Sequence, residues 1–182
     1  MGSEAAPGGG TRRQASWLVR STSPLHCAVA FAAGALLQHA LGLPVPAEGL
    51  REDLHLAGTV LANGGLLLVL WSFALFLGRR TTILPGGAPA RLICAGPFRR
   101  TRNPVYLGML ASYVGLALMH DLPWALALLP APLCILQRAV IPWEEAALQA
   151  RFGGEYQAYR EAVPRWLSPR SLGWPLARPD AI

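Results

Sequence analysis

The chain has 182 residues, of which 53% are hydrophobic and 14% charged, and its mean hydropathy is +0.34. These values exclude an ordinary soluble domain of this length and favour one compact membrane domain. The formal net charge of +6 comes from arginine alone, because no lysine occurs. The use of arginine at every basic position in place of lysine is typical of coding bias, so the basic pI does not indicate a nucleic-acid partner. Cys27, Cys94 and Cys134 lie far apart without a CxxC pair, which predicts neither a zinc site nor disulfides.

Four apolar stretches predict an all-α, polytopic membrane protein with about four transmembrane helices, since roughly 20 residues cross about 30 Å of hydrocarbon. Only residues 120–123 separate the last two stretches, so those two helices should be antiparallel neighbours. The stretches comprise residues 24–43, 54–78, 104–119 and 122–141.

The placement of arginine predicts the orientation, because positive residues in short flanking segments stay on the cytoplasmic side. With the N-terminus inside, Arg51 is the one arginine on the outer side. This asymmetry predicts cytoplasmic N- and C-termini and an even number of spans. A cleaved signal peptide within residues 1–47 fits poorly, because the polar leader is long and no good A-x-A site follows the apolar run.

The first candidate site lies at the start of the third stretch, in the segment G-P-F-R-R-T-R-N-P-V-Y-L-G at 96–108. Asn103 is a good N-cap and Pro104 suits the first helical position. The unpaired N–H groups and positive end of that helix, with Arg102 beside them, could hold a carboxylate or a phosphate. The alternative is a capped helix flanked by ordinary positive-inside arginines.

The second candidate site follows the fourth stretch. Glu144, Leu148 and Phe152 share one helical face, so Glu144 is turned toward whatever that apolar face covers, whereas Glu145 points about 100° away. Two glycines should end this helix, and three aromatic residues after it are expected to be anchors at headgroup level: Gly153, Gly154, Tyr156, Tyr159 and Trp166. The alternative is an amphipathic surface helix with solvated acids.

Polar and small residues within the spans have simpler interpretations. Arg138, near the inner end of the fourth stretch, could extend to the interface or face an inner cavity. The four histidines fall near span ends and no two share a helix at i, i+3 or i+4, so no metal is predicted. Gly58, Gly64 and Gly65, with Asn63, are expected to allow close helix packing.

Together, G-P-F-R-x-T-R-N-P-x-Y-x-G and E-E-x-x-L-x-x-x-F-G-x-x-Y-x-x-Y-x-x-x-V-P, separated by a helical hairpin, resemble the isoprenylcysteine carboxyl methyltransferase family. The wider group includes phospholipid methyltransferases. The resemblance covers residues 90–167, and the first two spans have no recognisable signature. It implies a membrane-embedded methyltransferase that uses S-adenosyl-L-methionine at the cytosolic face and acts on a lipophilic or small carboxylate, thiol or amine.

Composition, hydropathy and the resemblance together divide the chain into four parts: a mobile cytoplasmic N-terminus (1–23), two transmembrane helices (24–80), a catalytic-type region (81–167) and a flexible tail (168–182). In the third part the resemblance implies cofactor contacts in the loop, at the helix start and on an acid: Ala90, Arg91, Leu92, Ile93, Phe98, Asn103, Pro104, Val105, Tyr106 and Glu144. Arg102 and the helix start suit the methionyl carboxylate, and the acid suits a ribose hydroxyl or an amine. No general base is evident, so no catalytic residue is assigned.

Two positions depart from the family pattern. Asn103 stands where the family commonly has histidine, and Val140 stands where it often has an arginine on the substrate side. Arg138 lies six residues before Glu144, hence on a different face, and is retained as a substrate-binding candidate only. The identity of the acceptor therefore stays open.

Two other functions remain possible on the sequence alone. Membrane reductases of the sterol-reductase type look similar in the same C-terminal region, and Arg99 and Arg100 could face the ribose phosphate of NADPH. The third possibility is a non-catalytic membrane scaffold. The expected partners are the lipid bilayer and a lipophilic or small methyl acceptor, with neither nucleic acid nor metal.

Overall fold

The computed structural model describes residues 23–78 and 92–168, together with Ser171. Every regular element in these residues is helical, which confirms the all-α prediction. In chain order they are α1 (Ser23–Leu41), α2 (Glu48–Gly78), a 3₁₀ turn (Gly96–Arg99), α3 (Pro104–Met119), α4 (Pro123–Leu128), α5 (Pro130–Ile135), a π-turn (Leu136–Val140), α6 (Ile141–Phe152) and α7 (Gly154–Ala162). The predicted mobile N-terminus, the first part of the cofactor loop and most of the tail lie outside the described residues.

Three helical segments are long and apolar enough to cross a membrane: Pro24–Leu41, Glu48–Gly78 and Pro123–Phe152. The fourth apolar helix, α3, has 16 residues and is therefore about 24 Å long, shorter than the hydrocarbon layer of about 30 Å. Helix α2 begins at Glu48, earlier than predicted, because the polar residues that follow the prolines continue the helix into the apolar stretch. The expectation of about four membrane helices agrees with this arrangement.

Helices α2 and α3 pack backbone to backbone along lines of glycine. A Cβ atom added at Gly65 would lie 2.5 Å from the carbonyl oxygen of Gly108, and one added at Gly58 would lie 2.7 Å from that of Gly115. The hydroxyl of Ser112 also donates to the carbonyl of Ala62 at 3.1 Å. Close packing at Gly58 and Gly65 is confirmed.

The same prediction is wrong for Gly64. A Cβ added there meets nothing within 4 Å, and Gly64 is exposed. Asn63 is exposed as well, and its amide donates to the carbonyl of Thr59 one turn earlier. Neighbouring residues on a helix point about 100° apart, so Gly64 cannot share the face of Gly65.

Helix α1 packs against α4, and the C-terminal half of α3 joins this contact. Tyr113 lies at the centre, where its hydroxyl donates to the carbonyl of Ala125 at 2.8 Å and its ring meets Phe31 edge to face. Cys27 is buried in the same cluster, and all three cysteines are free. This end of the bundle therefore has a packed aromatic core.

A π-turn divides the last long helical segment. Pro142 has no N–H group and its ring crowds the carbonyl four residues earlier, that of Arg138. The N–H of Ile141 donates instead to the carbonyl of Leu136, five residues back. Leu136 and Ile141 are fully buried beside Tyr106 of α3, whereas Arg138 is exposed. The turn thus sets the orientation of α6 relative to α3.

The turn between α3 and α4 is attached to the first part of α2. Asp121, which has a φ of 53°, accepts a hydrogen bond from Nε of Arg51 at 2.8 Å and lies 3.1 Å from Nε2 of His55. The hydrogen bond from Arg51 is the main reason that the pKa of Asp121 is lowered, and His55 acts in the same direction. These contacts fasten the end of the bundle opposite to the candidate site.

Candidate functional site

The loop before α3 is held by the segment that follows α7. The N–H of Arg102 donates to the carbonyl of Pro164 at 2.9 Å, and the Thr101 hydroxyl donates to that of Arg165 at 2.8 Å. The Asn103 amide donates to the same Arg165 carbonyl at 3.1 Å. Two segments separated by about sixty residues in sequence therefore form one surface at the start of α3.

Asn103 occupies the N-cap position of α3, and Pro104 is the first helical residue, as predicted. The prediction that the Asn103 side chain caps the helix is wrong, because it makes no capping hydrogen bond. Its amide nitrogen is instead used on the Arg165 carbonyl. The backbone carbonyl of Asn103 accepts the first regular hydrogen bond of α3, from the N–H of Leu107 at 3.0 Å, and the side chain of Asn103 does not cap the first N–H groups of the helix.

Arg102 is largely buried and forms an ion pair. Its side chain is 11% exposed, and its Nη2 atom lies 3.2 Å from Oε1 of Glu145. Its Nε and Nη1 atoms are buried and have no hydrogen-bond partner within the described part of the chain. A guanidinium has five N–H donors, so Arg102 retains donors for an anionic group.

Glu145 links Arg102 to Arg165. Its carboxylate accepts hydrogen bonds from Nε and Nη2 of Arg165 at 3.1 and 2.6 Å, in the two-pronged geometry typical of a strong pair. The hydrogen bond to Glu145 is the main reason that the pKa of Arg165 is raised. Sequence reasoning placed Glu145 on a different face from Glu144 and did not include it in the site. The adjacent pair Glu144-Glu145 was the sequence feature that could have indicated a role for Glu145.

Glu144 faces the start of α3, as its position on the helical face predicts. Its Oε1 atom accepts a hydrogen bond from the hydroxyl of Tyr106 at 2.9 Å. The rest of that face, Leu148 and Phe152, packs against a buried cluster of Tyr156, Tyr159 and Val163. Helix α6 therefore directs Glu144 toward the first turn of α3 and Glu145 toward Arg102 in the loop before it.

The predicted role of Tyr156 and Tyr159 as interfacial anchors is wrong. The two residues are only 1% and 3% exposed, and the Tyr159 hydroxyl donates to the carbonyl of Phe98 at 2.8 Å. Burial raises the pKa of both tyrosines; Glu145 raises that of Tyr156 further, whereas Arg102 lowers it. Hydropathy cannot distinguish a tyrosine at a lipid surface from one in the protein core.

The remaining predicted residues surround this cluster. Leu92 packs against the tyrosine cluster, Ile93 is buried, and Phe98 is buried edge to face with Phe76 of α2. Pro104 is fully buried and Val105 is half-buried. Ala90 and Arg91 lie outside the described residues, and Arg138 is exposed on the π-turn. Gly153, with a φ of 53°, separates α6 from α7 as predicted.

These contacts define a buried polar cluster, which we call the inner cluster: Arg102, Asn103, Tyr106, Glu144, Glu145, Tyr156 and Arg165. It combines guanidinium donors with carboxylate acceptors, so it can bind a ligand with an anionic group and hydroxyl or amine groups. The described residues contain no group of three or more His, Cys, Asp or Glu that could hold a metal ion.

An all-helical arrangement of apolar helices with a charged cluster at one end defines an integral membrane protein with a built polar site. The particular family follows from comparison with known proteins. The family model for phospholipid methyltransferases matches residues 54–155, more than half of the chain. This protein therefore belongs to the phospholipid methyltransferase family, whose members are integral-membrane methyltransferases.

Neither a curated protein nor a solved structure matches the chain. The family match begins in α2, so the second span carries a signature that the sequence analysis did not recognise. It ends at residue 155 and includes Arg102, Tyr106 and both acids of α6. The segment that contains Arg165 lies beyond it.

Proposed function

We propose that this protein transfers a methyl group from S-adenosyl-L-methionine to a lipophilic acceptor at the cytosolic end of the bundle. The observation that carries the proposal is that the family match includes four residues that meet in the inner cluster: Arg102, Tyr106, Glu144 and Glu145. Arginine placement supports the cytosolic side, because Arg51 lies at the opposite end beside Asp121.

The residues present fit this methyl donor. S-Adenosylmethionine has a carboxylate and an amine at one end and ribose hydroxyls near the other. Arg102 has buried Nε and Nη1 donors for the carboxylate, close to the start of α3. Glu144 is an acceptor suited to a hydroxyl or an amine, and Tyr106 holds its carboxylate in place.

When bound, S-adenosylmethionine supplies a methyl group on a sulfonium, which a nucleophile displaces in line. The protein contributes position and exclusion of water rather than acid–base chemistry. Arg102 and Glu144 fix the polar groups of the donor, and the buried side chains of Phe98 and Ile93 provide the apolar surroundings. A carboxylate, thiolate or amine that enters from the bilayer can then react without a dedicated general base.

Ligand binding to the purified protein in detergent tests this proposal. S-Adenosylhomocysteine should raise the melting temperature and NADPH should not. Glu144→Ala and Tyr106→Phe should weaken the binding of S-adenosylhomocysteine, the first by about tenfold, because each removes a partner of the buried pair. Matched controls are Glu155→Ala, an exposed acid on α7, and Tyr113→Phe, which loses a buried hydrogen bond far from the site.

The outcomes separate the three functions. Stabilisation by NADPH alone would overturn the methyltransferase proposal in favour of a membrane reductase. If neither S-adenosylhomocysteine nor NADPH raised the melting temperature, the non-catalytic scaffold would be the favoured function. The acceptor is then identified with radiolabelled S-adenosylmethionine and vesicles that contain an amine phospholipid, a lipophilic carboxylate or a lipophilic thiol in turn.

A further inference from the structure

The carboxylate that pairs with Arg102 also forms a second ion pair, whose other member lies beyond the family match. Glu145 contacts both Arg102 and Arg165, and its side chain is 14% exposed. Arg165 follows α7, twenty residues after Glu145. The carboxylate therefore lies between two cations. One of them, Arg102, also has buried donor atoms that find no partner in the part of the chain that the structure describes.

We propose that Glu145 and Arg165 are positioning residues, which orient the guanidinium of Arg102 toward the carboxylate of the bound methyl donor. This inference rests on the proposed function, in which Arg102 binds that carboxylate. Neither Glu145 nor Arg165 is expected to contact the donor.

The distances support a positioning role. Two strong hydrogen bonds from Arg165 hold the Glu145 carboxylate at 3.1 and 2.6 Å, and only its Oε1 atom also reaches Arg102, at 3.2 Å. One nitrogen of Arg102 is thus fixed, while Nε and Nη1 have no hydrogen-bond partner among the described residues. A long arginine side chain loses much rotamer entropy when it binds a ligand, so fixing it beforehand increases affinity.

Backbone contacts make the arrangement rigid. The N–H of Arg102 donates to Pro164, the residue before Arg165, and Thr101 and Asn103 both donate to the carbonyl of Arg165. Arg102 and Arg165 are consequently fastened to each other at the backbone as well as through Glu145. The segment after α7 therefore belongs to the donor site although the family match ends before it.

Two ligands distinguish a loss of positioning of Arg102 from a nonspecific disruption of the binding site. S-Adenosylhomocysteine has the amino-acid carboxylate, whereas 5′-methylthioadenosine lacks it. Glu145→Gln should weaken the binding of S-adenosylhomocysteine by about tenfold and leave 5′-methylthioadenosine within about twofold of the wild type. Arg165→Met should have a smaller effect in the same direction, and Arg160→Met, an exposed arginine on α7, should have none. Calorimetric titration in detergent measures all of these affinities.

A double variant tests whether Glu145 acts through Arg102. Arg102→Lys keeps the charge but loses the planar donors, so it should weaken S-adenosylhomocysteine selectively. Adding Glu145→Gln to Arg102→Lys should cause little further loss, because residues that act as a unit are not additive. If Glu145→Gln prevents folding, Arg165→Met, which leaves both charged partners of the site in place, serves for the same comparison.

Three results would overturn the positioning role. These are equal losses for both ligands, fully additive losses in the double variant, and tighter binding of S-adenosylhomocysteine by Glu145→Gln, which would mean that Glu145 competes with the ligand for Arg102. A wild-type protein that binds neither nucleoside would instead refute the proposed function, and this inference with it.

Discussion

Asp121 is the one residue other than glycine, among those the structure describes, that has a positive φ. Its φ of 53° lies in the left-handed region, which asparagine and aspartate tolerate better than other residues. Its two carboxylate oxygens are used by Arg51 and His55 of α2. One side chain therefore combines a backbone requirement with an electrostatic one.

Substitution of Asp121 by asparagine separates these two requirements. Asparagine keeps the left-handed conformation but loses the charge, so Asp121→Asn should lower the melting temperature at pH 7. The pKa of Asp121 is lowered in the folded protein, so its ionised form stabilises the fold above the unfolded pKa of about 3.9. That contribution disappears as the pH falls through the lower, folded pKa.

Thermal unfolding in detergent between pH 3 and pH 7 measures this effect. The melting temperatures of the wild type and Asp121→Asn should converge toward the acid end of the range. Asp53→Asn, an exposed acid on α2, is the matched control and should behave like the wild type. A difference that persists unchanged at acid pH would contradict the electrostatic explanation.

At the scale of elements, the packing of α2 against α3 depends on the absence of side chains. Gly65 and Gly108 face each other so closely that a Cβ on either meets the carbonyl oxygen of the other, and neither backbone can move without separating the helices. Small residues at such positions are what allows membrane helices to associate.

Gly65→Ala should therefore destabilise the protein by about 1–3 kcal/mol through overpacking. Gly64→Ala, one residue earlier, adds the same methyl group in open space and should be neutral or slightly stabilising, because alanine is the better helix former. Thermal or denaturant unfolding in detergent compares the two. Equal effects of both substitutions would rule out close packing as the cause.

The π-turn places Leu136 and Ile141 together in the buried cluster beside Tyr106 of α3. In a regular α-helix through Pro142, Leu136 and Ile141 would point in clearly different directions, because they are five residues apart. The extra residue of the π-turn brings the two side chains closer to one face of the helix. Pro142 was visible in the sequence, yet proline is also compatible with a simple kink or a first helical turn. The structure, not the proline alone, shows that the result is a π-turn.

At the scale of the whole molecule, two groups of ion-paired residues lie at separate ends of the described helices. Arg51 and Asp121 form a pair at one end, and Arg102, Glu145 and Arg165 form the inner cluster at the other. The apolar helices between them expose many large hydrophobic side chains, as expected for a surface that faces lipid.

Reporter fusions test the orientation that arginine placement predicts. A phosphatase that is active only outside the cytoplasm should be inactive at either terminus and active when inserted into residues 42–47, between α1 and α2. A fluorescent protein at the C-terminus should fluoresce. Phosphatase activity at both termini would mean the reverse orientation and would place the inner cluster on the outer side.

The local sequence was sufficient for features that depend on one segment. Helix type, the approximate spans, the first turn of α3 at Pro104 and the break at Gly153 follow from periodicity and backbone preference. The inward direction of Glu144 follows from its position on one helical face. The two motifs were specific enough to indicate the family, which the family match confirms.

Contacts between distant segments were decided only by the tertiary structure. No local pattern relates the parts of the chain that meet in three features. These are the hydrogen bond of Asn103 to Arg165, the pair of Glu145 with Arg165, and the burial of Tyr156 and Tyr159. Lipid and protein interior are both apolar, so hydropathy cannot determine which apolar faces turn toward the protein. The sequence alone determined a helical membrane protein of a methyltransferase type, whereas packing decided which charged residues meet Arg102.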